Sequence, residues 1–125
     1  MLTLLPLVAL IAAGAPPAPA AAAQKLDGQG AFEQLKKLEG NWSAPKEATW
    51  LSLRVISGGT AVLETITGAD RTQIVMASVY TLEGTELVMT HYSAHGNQPS
   101  MRLKAAAPNL RFETVRVANL DPKAS

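Results

Sequence analysis

Apolar and polar residues along this chain follow two different rhythms. Between Ala31 and Leu38 the apolar side chains Phe32, Leu35 and Leu38 recur every three residues, with Glu33, Lys36 and Lys37 between them. That spacing predicts a short helix with one face for packing. Gly40 stands just past its end, where glycine adopts a left-handed cap at little cost. Beyond Gly40 the rhythm becomes two. Leu51, Leu53 and Val55 share one face of a strand over Thr49–Ile56, which Ser57-Gly58-Gly59 breaks. Ala61–Thr67 follows, ending at Gly68-Ala69-Asp70. Thr72–Leu82 is the longest candidate strand, and Glu83-Gly84 turns it into Glu86–Tyr92 as a hairpin. After a break at Gly96–Pro99, Met101, Leu103 and Ala105 alternate with Arg102 and Lys104, the pattern of a half-buried strand. Leu110 and Phe112 against Arg111 and Glu113 give the last one.

These connections are too short for crossovers, which need a dozen or more residues, so successive strands must pair antiparallel. The expected fold is all-β: an antiparallel meander with one short N-terminal helix. Residues 24–30 read as a polar connector and residues 31–125 as the β domain.

The start of the chain is different. No charged side chain precedes Lys25. The apolar run Leu2–Ala13 is shorter than the roughly 20 residues of a transmembrane helix. Gly14, Pro16, Pro17 and Pro19 then break any helix, and Ala20–Ala23 supplies small residues for cleavage. Residues 1–23 are therefore expected to be a signal peptide, cleaved after Ala23, sending the protein to the periplasm or outside the cell. The missing Lys or Arg near Met1 is irregular for such a leader.

Composition narrows the function. The 11 Lys and Arg nearly balance the 10 Asp and Glu, for a net charge of +1. Neither a nucleic-acid footprint nor an acidic tail is expected. There is no cysteine, which excludes disulfides, thiolate metal sites and a cysteine nucleophile.

Gly40-Asn41-Trp42, between a short helix and a first strand, resembles the G-x-W signature of lipocalin-like (calycin) barrels. Val55-Ile56-Ser57-Gly58-Gly59-Thr60-Ala61-Val62, and Thr90-His91-Tyr92 through Gly96-Asn97-Gln98-Pro99, resemble a bacterial family of uncharacterised exported calycin-type domains, distantly similar to nitrobindin and fatty-acid-binding-like barrels. The resemblance covers about Phe32 to Asp121. It implies a barrel plugged at one end by the helix, with the tryptophan packed over that end and a cavity inside. Counting the short segment at Trp42, about seven strands are expected, against the eight or more of closed barrels of this kind. Asn119–Pro122 has turn composition, so further strands are expected beyond Ser125.

The expected function is to bind a small apolar or amphipathic molecule, lined by Trp42, Trp50, Met76, Tyr80, Met89 and His91, with Asn97 and Gln98 at the mouth. The alternative for Asn97 and Gln98 is that they only satisfy a tight turn. A second reading is a small cavity enzyme using Glu64, His91 and Tyr92 as acid–base groups. For this Glu64 must face inward with Val62 and Ile66; the ordinary place for a carboxylate is outside. A third reading is an interaction protein that docks, or self-associates, through an open β edge. No metal site is expected, because His91 and His95 lack a third ligand. Haem, with His91 or His95 as axial ligand, is not expected either, since the related haem barrels take that ligand from later strands.

Overall fold

A computed structural model describes residues 27–123. The expected signal peptide lies outside the described residues, as do residues 24–26 of the expected connector. Helix α1 (Gly28–Lys37) is followed by seven strands: β1 (Gly40–Ala44), β2 (Thr49–Ile56), β3 (Ala61–Thr67), β4 (Ile74–Glu83), β5 (Glu86–Tyr92), β6 (Gln98–Ala105) and β7 (Arg111–Ala118). They form one sheet in chain order, every pair antiparallel. No helix among the described residues is long and apolar enough to cross a membrane.

The helix begins three residues before the expected Ala31. Asp27 caps it, its Oδ1 accepting the Gly30 N–H at 2.7 Å, which satisfies one of the free amides of the first turn. Gly28 and Gly30, read as connector, are therefore helical. The reason for glycine at 28 is proximity: a Cβ there would lie 2.3 Å from the Thr85 carbonyl oxygen and 2.6 Å from the Leu87 nitrogen. The first turn thus lies directly on the β4–β5 hairpin. At the other end, the Trp42 Nε1–H donates to the Leu38 carbonyl at 2.8 Å, and Glu39 Oε2 accepts the Val55 N–H at 2.6 Å. So α1 runs from the β4–β5 turn to β1 and β2, along one end of the sheet. Ala31, Phe32 and Leu35 are its buried face.

Alternation sorts the sheet into two faces. The inner face carries Leu51, Leu53, Val62, Ile66, Tyr80, Leu87, Met89 and Met101, which form one buried cluster with the helix. Trp42, Met76, Leu103 and Phe112 border it, half-buried. The sheet curls strongly around this cluster. Tyr80 on β4 and Phe112 on β7 are three strands apart, about 14 Å along a flat sheet, yet their ring centroids are 6.0 Å apart. Curling stops short of closure: β1 and β7 remain the two edges.

Three strands differ from the expected bounds. β4 starts at Ile74, because an Asx-type turn, with the Thr72 N–H donating to Asp70 Oδ1 at 3.0 Å, holds Thr72 out of the ladder. β6 starts at Gln98, not after Pro99. The turn closes earlier, through Ser93 N–H to the Asn97 carbonyl at 3.2 Å and Gly96 N–H to the Ser93 carbonyl at 3.0 Å. Pro99 is tolerated because it lies beyond the last β5–β6 pair, Thr90 with Ser100. β7 runs on past the alternation of Leu110–Glu113 to Val117 and Ala118, which pair with Pro99 and Gln98.

Candidate functional site

The inner face carries a row of polar residues across its centre. The register pairs Glu64 of β3 with Ser78 of β4, and Ser78 with His91 of β5. Being on neighbouring strands and the same face, the three touch. Glu64, Ser78 and His91 are 5%, 1% and 5% exposed, the buried polar or charged residues of the described chain.

Their hydrogen bonds form a chain. The Ser78 hydroxyl donates to Glu64 Oε1 at 3.2 Å. The Tyr80 hydroxyl, one step along β4, donates to Glu64 Oε2 at 3.0 Å. Ser78 Oγ also lies 3.0 Å from His91 Nδ1. Among the described residues no buried side-chain nitrogen or oxygen lacks a partner. Among the described residues His91 Nε2 has no hydrogen-bond partner. The result is a polar network open, among the described residues, only at Nε2, and flanked on the same face by Met76, Met89 and Met101.

Burial governs the electrostatics. Desolvation raises the Glu64 carboxyl above its ordinary 4.5, while the hydrogen bonds from Tyr80 and then Ser78 pull it back. Desolvation, with the Glu64 charge and hydrogen bond adding to it, pushes the Tyr80 phenol well above its usual range. Desolvation lowers His91 below 6.5, so its neutral imidazole is favoured.

The residues expected from sequence divide between two faces. Glu64, His91, Tyr80, Met76, Met89 and Trp42 share the inner face with its row. Tyr92 does not join them: it neighbours His91 on the same strand, so alternation sends it outside, where it is 48% exposed. Tyr80 supplies the phenol that Tyr92 was expected to supply. Trp50 is also outside, one position from inward-facing Leu51. It lines a groove of about 290 Å³ with Asn41, Trp42, Leu51, Ser52, Thr65, Thr67 and Arg71, and the Arg71 guanidinium stacks 4.2 Å over its ring. Gln98 serves its turn, donating to the Gly96 carbonyl at 3.0 Å and accepting from Asn119. The Asn97 carbonyl closes the same turn. His95 is exposed, its N–H bonded to Ser93 Oγ at 3.0 Å. Sequence reasoning missed Ser78, the link between Glu64 and His91. Its position two residues from both Met76 and Tyr80 was the available signal.

Comparison of the chain with protein-family models, with curated proteins and with solved structures finds no match. A functional reading therefore stands on this geometry and on the sequence.

Proposed function

We propose that the inner face of the sheet binds a small amphipathic molecule, with its polar head at His91 and its apolar body along the methionines and aromatic rings beside it. One observation carries the reading: a buried polar network of Tyr80, Glu64, Ser78 and His91, whose Nε2 has no partner among the described residues, crosses the apolar inner face of the curled sheet. Ligand sites commonly combine an apolar lining with a few fixed polar groups. Methionines suit such a lining because their side chains are flexible and polarizable. The resemblance of Gly40-Asn41-Trp42 to the lipocalin-like signature supports the same reading, with the curled sheet as a calycin-type wall. The apolar leader supports a periplasmic or secreted setting.

A second reading, acid–base catalysis, has one observation in its favour. Glu64 and His91 are joined through Ser78, so a proton can pass between them along hydrogen bonds. In that reading Tyr80 takes the place expected of Tyr92.

The test is displacement of a neutral, polarity-sensitive dye from the purified full chain by straight-chain amphiphiles, with native mass to give stoichiometry. Saturable one-to-one displacement that weakens in His91→Phe is the expected result. A folded protein that takes up no dye and no amphiphile overturns the binding reading. Turnover of an ester probe that needs both Glu64 and His91 would favour the second.

A further inference from the structure

Resting on the binding reading, we infer that the site selects molecules whose polar head donates a hydrogen bond, such as an alcohol or a phenol, over those whose head can only accept, such as an ether or a carboxylate. The directions of the hydrogen bonds in the Tyr80–Glu64–Ser78–His91 network carry this. A serine hydroxyl has one proton. Ser78 directs it to Glu64 Oε1, so toward His91 its oxygen acts as acceptor. The ring nitrogen facing it, Nδ1 at 3.0 Å, must then carry the hydrogen. A neutral imidazole protonated at Nδ1 has only a lone pair at Nε2. The nitrogen offered to a ligand is therefore an acceptor, and its polarity is fixed two residues away by the carboxylate.

Charge points the same way. Glu64 carries the negative charge of this face, and its two oxygens are occupied by Ser78 and Tyr80. No buried Lys or Arg accompanies it among the described residues. A carboxylate-headed ligand would meet a lone pair at Nε2 and a second negative charge behind it, across a medium that screens poorly. A hydroxyl head meets neither obstacle and donates to Nε2, the network atom without a partner among the described residues.

The neutral ring also has an environmental cause, since burial disfavours its charged form. The reversed chain, in which a protonated Glu64 donates to Ser78, Ser78 to Nδ1, and Nε2 bears the hydrogen, requires one more proton. Raising the pH favours the ionised carboxyl, and with it the acceptor form in which both Ser78 and Tyr80 donate to Glu64.

The experiment uses the full chain in mildly alkaline buffer and four probes of one alkyl length: the primary alcohol, its methyl ether, the carboxylate and the alkane. The alcohol should displace the dye at least about tenfold more tightly than the ether or the carboxylate, a factor equal to about 1.4 kcal/mol. In His91→Phe the alcohol should lose that advantage over the ether while dye and alkane still bind, which separates loss of the acceptor from loss of fold. In Glu64→Gln the carboxylate should gain relative to the alcohol. Equal binding of alcohol and ether, or tightest binding of the carboxylate, overturns this inference and leaves the binding reading standing. Failure of the alkane and every other probe to displace dye overturns the binding reading itself.

Discussion

Tyr80→Phe removes one oxygen atom and little else. The ring keeps its place beside Phe112, 6.0 Å between centroids, and its volume barely changes. What is lost is the O–H bond to Glu64 Oε2, 3.0 Å long and buried. A hydrogen bond to a charged acceptor contributes about 1.5–3 kcal/mol, and one to a neutral acceptor about 0.5–1.5 kcal/mol. The cost therefore depends on the charge of Glu64, and so on pH. Burial raises the Glu64 carboxyl above 4.5. The folded state then binds that proton more tightly than the unfolded state. Stability from this group is complete below pH 4.5 and is lost as the pH rises through the folded value. The Tyr80 bond lowers the folded value, so its removal raises that value and deepens the loss. His91 contributes in the opposite sense: it is depressed below 6.5, so its stability is present above that pH and lost as the pH falls through the folded value. To first order it is common to both proteins and cancels on subtraction. Urea denaturation of both proteins at about pH 4 and about pH 8 should give a cost near 1 kcal/mol in acid and about 2–3 kcal/mol in alkali. In melting temperature the alkaline cost is on the order of 10 °C for a domain of this size. A cost that is the same at both pH values, or larger in acid, would refute the proposed charge on Glu64 and the direction of its hydrogen bonds.

Other outcomes follow from the packing. Gly28→Ala should destabilise by about 1–3 kcal/mol, as overpacking does, because its Cβ meets backbone atoms at 2.3 and 2.6 Å; chemical denaturation checks this, and a neutral or stabilising result would show that the helix start stands off the hairpin. Trp42→Phe should cost about 1 kcal/mol from the lost Nε1–H bond to the Leu38 carbonyl, with faster amide exchange confined to the last turn of α1. Arg102 pairs with both Glu83 and Glu86, and all three are well solvated. Arg102→Ala should therefore change stability by no more than about 1 kcal/mol, and salt titration should shrink even that difference.

The parts of the fold visible in the sequence are those in which local preference and burial agree. β2, β3 and β5 have the expected bounds, because each is a short apolar-rich stretch closed by glycine or a turn residue. The inward placement of Glu64 follows the same alternation through Val62 and Ile66, against the general tendency of carboxylates to stay in water. The compensation is invisible in one dimension: the partners that make its burial tolerable come from another strand, fourteen and sixteen residues away. Ser78 was overlooked for the same reason, since a serine in a strand means little until the register places it between an acid and an imidazole. The start of α1 was hidden because two glycines suggest a loop, while the feature requiring one of them is the backbone at Thr85. Trp50 and Tyr92 show the opposite error. Trp50 was expected in the lining and Tyr92 beside Glu64 and His91 as an acid–base group, and strand alternation places both outside.

The helix contact with the hairpin bears on how the protein assembles and how it opens. Every strand pairs only with its neighbours in the chain, so the sheet can zip up through successive short loops, each with a small closure entropy. Docking of α1 is different, because Gly28 must find the Thr85–Leu87 backbone across most of the domain. That closure should come late in folding. In the native protein the same segment should detach by sub-global unfolding, at a lower free energy than the sheet. Amide exchange in α1 should then be faster than in β3–β5, and each such excursion uncovers the surface around Met89 and Leu87 without breaking a strand pair. Exposure of the buried inner face is thereby governed by the stability of one ten-residue helix.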